Sequence, residues 1–149
     1  KVLISGVFER IGIDAPFYTI KINGEKIRKE VELPNHKVAF EILVKELMDY
    51  KVVESLDEIK GIGHRVVQGG DYFNKTVVID DEVIAKIDEL STLAPLHNPA
   101  AITGIKAAQA VVPDAVQTAV FDTAFHQTMD EVNYAYENEE NILTMIKKI

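Results

Sequence analysis

A chain of 149 residues, 47% hydrophobic and 27% charged, is long enough to bury a core and too apolar to stay disordered. Its formal charge of −8 argues against a nucleic-acid surface, which would need clustered Lys and Arg. With no cysteine, no membrane-spanning apolar run and no signal-peptide pattern, the expected setting is cytoplasmic, with small ligands or protein partners.

Residues 2–8 read as a strand weakened at Gly6. Asn23-Gly24, between 17–22 and 26–33, predicts a tight hairpin, because both residues accept positive φ. Tyr18, Ile20 and Ile22 on one arm, and Ile27, Val31 and Leu33 on the other, give it one buried face. Pro34 ends the second arm, and Asn35 is placed to cap a helix through about Tyr50. Its inward stripe is Phe40, Leu43, Val44 and Leu47, with a Glu41–Lys45 pair on the other side and a solvated His36 in the first turn.

Residues 59–70 predict a strand around His64-Arg65-Val66-Val67 that ends in Gly69-Gly70, where missing Cβ atoms let a backbone or a ligand come close. In an acidic chain, Arg65 is either paired to a carboxylate or kept to receive an anion, since its planar fork suits both. A second short strand follows at 76–79. Asp80 then caps a helix through about Leu90, with Val83, Ile87 and Leu90 turned inward, and Pro95 closes it. Asn98 can cap and Pro99 can open a further helix whose Ile102, Ile105 and Val112 face the core. His97 stands at that helix N-terminus, where N–H groups favour anions, although a polar turn residue is the plainer identity.

The strand 115–121 delivers Asp122 at its C-terminal end, where open α/β sheets bind ligands and where an aspartate also commonly caps a helix. Thr123, His126, Gln127 and Thr128 add polar groups. His64, His97, His126 and Asp122 share no compact ligand spacing, so no metal site is predicted from them. Residues 138–149 read as an amphipathic helix with Ile142, Met145, Ile146 and Ile149 on one face. A hairpin-led set of strands followed by alternating strands and helices predicts an α/β domain with a mixed sheet.

Three stretches, Gly63-His64-Arg65-Val66-Val67-Gln68-Gly69-Gly70, Leu93-Ala94-Pro95-Leu96-His97-Asn98-Pro99 and Val120-Phe121-Asp122-Thr123-Ala124-Phe125-His126-Gln127-Thr128-Met129, together closely resemble acetate kinase. Glu9-Arg10-Ile11-Gly12-Ile13 and Leu33-Pro34-Asn35-His36-Lys37 extend the likeness, which runs from about Val2 to Tyr136. The resemblance implies reversible phosphoryl transfer from ATP to acetate with Mg²⁺, giving acetyl phosphate and ADP. It also implies a ribonuclease-H-like fold with flanking helices, of which this chain looks like an incomplete N-terminal domain of a two-domain kinase. By match of position, Arg65 is the arginine at the acetate or acetyl-phosphate end, His97 the histidine on the transferring phosphoryl group, and Asp122 the carboxylate near the metal. Val67 and Leu96 match apolar walls of the acetate pocket.

The chain departs from that pattern as well. The family's Gly-Ser-Ser-Ser phosphate turn, a later Gly-Phe-His-Gly-Thr-Ser-His segment and the second domain's adenosine-binding glycines have no match, so the residues that would bind ATP are unknown. Gln68 stands where the family usually has histidine, and Asp130 where it usually has proline. These departures divide the chain into an acetate-kinase-like 1–136 and a divergent 137–149. They fit a fragment or shortened form of the enzyme, or a catalytically inactive truncated paralogue that binds small anions or a protein. A strand edge left bare by the unmatched first strand predicts cover by the terminal helix or by a second copy, hence a homodimer or self-association.

Overall fold

The computed structural model describes residues 1–126, with side chains as far as Ala124. The helix predicted over 138–149, and Gln127, Thr128 and Asp130, lie outside the described residues. Two compact units form among the described residues, one from 1–60 with 106–115, the other from 61–105 with 116–126.

The first unit holds an antiparallel sheet of β1 (Ile4–Glu9), β2 (Phe17–Ile22) and β3 (Glu25–Glu30), in the order β1-β2-β3. The hairpin turns at Asn23 (φ 51°) and Gly24 (φ 83°), as the dipeptide predicts. β3 stops at Glu30 rather than Leu33, because its partner strand opens at Phe17 after Pro16, which has no N–H to offer the ladder. The backbone of 31–33 turns to the preceding loop instead: Val31 N–H donates to the Pro16 carbonyl (3.4 Å), and Leu33 O accepts from Gly12 N–H (2.7 Å).

Helix α1 (His36–Asp49) starts where Asn35 Oδ1 accepts from Val38 N–H at 3.0 Å. Along it Lys37 pairs with Glu41 and Lys45 with Asp49, so the expected Glu41–Lys45 pair gives way to two others of the same spacing. Glu46 joins the buried face. Its Oε1 accepts from Tyr18 Oη (2.5 Å) and Lys29 Nζ (2.7 Å), while its buried Oε2 has no partner among the described residues.

The second unit holds a mixed sheet of β4 (Gly61–Val66), β5 (Val77–Val78) and β6 (Val116–Phe121), in the order β4-β6-β5. β4 and β6 run parallel, with Arg65 opposite Val120 and Val66 opposite Phe121, and β5 is antiparallel to β6. The predicted mixed sheet is therefore this one, and the hairpin strands form a separate antiparallel sheet. Helix α2 (Asp81–Glu89) is capped by Asp80, whose Oδ1 accepts from Val83 N–H at 2.8 Å. Helix α3 (Asn98–Val111) precedes β6, and α4 (Asp122–His126) follows it directly. Val66, Phe73, Ile87, Leu90, Ile105 and Phe121 form the core of the unit, with the Phe73 and Phe121 rings stacked at 4.3 Å.

Burial, then the hydrogen bond to Glu46 and its negative charge, pushes the Tyr18 phenol from the ordinary 10.0 up to about 12. A phenol whose folded-state pKa is raised favours folding below its ordinary value, and that contribution is lost as pH rises from 10.0 through about 12. An ultraviolet titration of the folded chain should show one tyrosine ionising last, and Tyr18→Phe should remove that step. The same substitution should cost about 1–2 kcal/mol in urea unfolding, because it leaves a buried carboxylate short of one donor.

Candidate functional site

The parallel pairing of β4 and β6 brings the C-terminal ends of both strands to one edge of the second unit's sheet. Strand alternation turns His64 and Val66 to one face and Arg65 to the other. Asp122, the residue after β6 and the first of α4, meets Arg65 there. Arg65 Nε donates to Asp122 Oδ1 at 2.9 Å and Oδ2 at 3.2 Å, and Nη2 donates to Oδ2 at 2.8 Å. The pair is a bidentate fork, and the hydrogen bonds and charge of Asp122 hold the guanidinium pKa above its ordinary value. The Arg65 side chain is nonetheless 79% exposed, against 27% for Asp122. Of the two readings of Arg65, the structure thus realises the carboxylate pair while leaving the cation open to solvent.

His97 lies in the turn before α3, exposed, with its N–H donating to Ala94 O (3.1 Å) and its O accepting from Ala101 N–H (2.9 Å). No hydrogen bond or ion pair joins it to Arg65 or Asp122 among the described residues. Leu96 is 84% exposed and Val67 half-buried. His64 faces away from Arg65 and shares a hydrogen bond with Gln117 Oε1 at 2.8 Å, while partial burial holds its imidazole below the ordinary pKa. Among the described residues no cluster of three His, Cys, Asp or Glu side chains could hold a metal ion.

The strand carrying Arg65 is shorter than the predicted 59–70, because side chains rather than a neighbouring strand take its backbone after Val66. Asn98, expected to cap α3, turns away from that helix. Its Nδ2 donates to Gln68 O (3.0 Å) and Ile87 O (3.2 Å), and its Oδ1 accepts from Gln68 N–H (3.2 Å). Thr123 Oγ1 accepts from Gly69 N–H at 3.0 Å, and Gln68 Oε1 from Gly70 N–H at 2.8 Å. Asn98 and Thr123 are fully buried, each one residue beyond a predicted site residue. Sequence reasoning missed both roles. The available signal was that two small polar residues directly follow His97 and Asp122.

The two glycines admit the protein's own core rather than open space. A Cβ on Gly69 would sit 2.9 Å from the Phe121 ring, and one on Gly70, at φ 53°, would sit 2.7 Å from Leu90 Cδ2. Gly69→Ala should therefore push the Phe121 ring out of its stack and lower stability by about 1–3 kcal/mol, measured by urea unfolding.

The sequence matches the acetokinase family over residues 1–146. The chain belongs to that family. It is 52% identical over 136 residues to acetate kinase 1 of Listeria monocytogenes, an alignment covering 91% of this chain and 34% of that one. Among solved structures it resembles the acetate kinase of Porphyromonas gingivalis with a TM-score of 0.83 and 42% identity, over 88% of this chain and 34% of that one. A propionate kinase from Francisella tularensis follows at 0.78 and 43%, over 87% and 33%. The chain thus spans about a third of the length of the acetokinases it matches, and its α/β fold corresponds to the N-terminal portion of those structures.

Proposed function

We propose that this chain carries the acyl-phosphate side of a reversible phosphoryl transfer between ATP and acetate. The observation that supports this most is the exposed bidentate Arg65–Asp122 pair at the ends of two parallel strands, in a chain of the acetokinase family. Phosphoryl transfer asks a protein mainly for positioning and charge neutralisation. In this reading Arg65 exchanges its internal carboxylate for the carboxylate or phosphoryl oxygens of the substrate, and His97 donates a hydrogen bond to the transferring group. Val67 and Leu96 wall the acyl methyl.

Mg²⁺ binds through one or two carboxylates, with water and substrate phosphates completing an octahedron. Asp122 fits as such a ligand, since it is partly exposed and its present partner is a guanidinium that an incoming anion can engage. The ion supplies charge neutralisation at the phosphoryl oxygens when bound. The solved propionate kinase neighbour fits a pocket for short acyl chains. One added methylene should change binding by only about 1–3 kcal/mol, making propionate a poorer rather than an excluded substrate. Membership of the acetokinase family supports a cytoplasmic setting; no helix among the described residues is long and apolar enough to cross a membrane.

The direct assay is binding of acetyl phosphate by this chain, with Arg65→Ala alongside, because the chain spans about a third of the acetokinases it matches. Acetyl phosphate should bind, and the substitution should weaken it about 10- to 100-fold, the worth of one charge-assisted contact. Binding indifferent to Arg65→Ala would contradict the proposal. Turnover of ATP, Mg²⁺ and acetate is expected to be absent from this chain alone, and product that forms and falls with Arg65→Ala would show that it is catalytic by itself.

A further inference from the structure

We infer that Asn98 is a positioning residue, whose buried carboxamide sets where His97 stands relative to the strand end that carries Arg65. The inference rests on the proposed reading of Arg65 and His97 as groups that meet the acyl phosphate. Arg65 is held by the β4–β6 ladder and by Asp122. His97 has no strand partner: its own backbone bonds reach only Ala94 in the turn and Ala101 in α3, and its neighbour Leu96 is 84% exposed. Asn98 is the next residue and is fully buried. It grips both backbone groups of Gln68, two residues past the last residue of β4, and adds a third bond to Ile87 O.

Bonding to both the N–H and the C=O of one residue mimics a strand pair, which restricts rotation as well as distance. Both Nδ2 hydrogens go to carbonyls and Oδ1 takes the N–H, so the orientation of the amide follows from its partners. Three segments distant in sequence, the exit of β4, the end of α2 and the start of α3, therefore meet at this carboxamide. A purely structural asparagine would support all of them equally. A positioning asparagine carries the turn at His97 above all, because the ladder holds the strand without it.

The test is nuclear magnetic resonance on the full chain, comparing wild type with Asn98→Ala, by amide hydrogen exchange and by titration with acetyl phosphate. Exchange at His97 and Gln68 should accelerate about tenfold or more in the variant, while Arg65 and Ala119 in the ladder stay within about threefold. Acetyl phosphate should still move the Arg65 Nε–H resonance but no longer the His97 imidazole. Unchanged exchange at His97, or acceleration spread evenly through β4 and β6, would overturn the inference.

If Asn98→Ala does not fold, Asn98→Ser, which keeps an oxygen for the Gln68 N–H but loses both Nδ2 bonds, takes its place, with acceleration of about tenfold expected at His97 while Arg65 and Ala119 stay within about threefold. In the wild-type chain the Asn98 Nδ2 protons should also exchange at least about tenfold more slowly than those of exposed Asn23, and equal rates would overturn the inference. A wild-type chain in which acetyl phosphate moves neither resonance would instead overturn the acetate-kinase reading, and the exchange at His97 would still decide the role of Asn98.

Discussion

The parallel pairing of β4 with β6 is the constraint on which the second unit depends. Parallel strands end at the same edge, so Arg65, late in β4, and Asp122, just after β6, are delivered to one place although 57 residues separate them. An antiparallel pairing would send the two chain ends to opposite edges. Once the strands run together, a guanidinium and a carboxylate at that edge close into a fork, and solvent reaches the cation because the strand turns Arg65 away from the core. The first unit contains a different solution to the same problem of placing charge. There the carboxylate of Glu46 is buried and the lysine that meets it stays partly exposed.

Beyond the ladder, the chain is held by side chains that imitate backbone. Asn98 takes both polar groups of Gln68 and Thr123 takes the N–H of Gly69, so the segment after Arg65 needs no neighbouring strand. This arrangement explains the glycines. Gly69 and Gly70 let the segment lie against Phe121 and Leu90, close enough that a Cβ would collide with either side chain. Tight packing on one side and buried hydrogen bonds on the other leave that segment little freedom, which is what a site that works by positioning requires.

Local chemistry was legible where its determinants are contiguous. Asn23-Gly24 specifies its turn, and Asn35 and Asp80 their caps, because each partner lies within three residues. The ends of β3 and β4 were not legible, since Pro16 truncates one and Asn98 and Thr123, 30 and 54 residues away, take over from the other. Asn98 shows the limit most clearly. Its place before Pro99 favours a cap, and only the fold reveals that the two backbone groups of Gln68 and the Ile87 carbonyl of α2 take its carboxamide instead. Of the candidate site, Arg65 and Asp122 are brought into contact, while the role of His97 rests on resemblance and on the clamp beside it.

The central claim is that the Arg65 fork is an anion seat which Asp122 occupies in the free chain. It is tested most directly by calorimetric titration of acetyl phosphate onto the full chain in metal-free buffer, beside the isosteric Asp122→Asn. Releasing the fork and removing a like charge should tighten acetyl phosphate binding about 3- to 10-fold. Equal or weaker binding by the variant would mean that Arg65 serves the carboxylate alone, and the anion seat would have to be sought elsewhere.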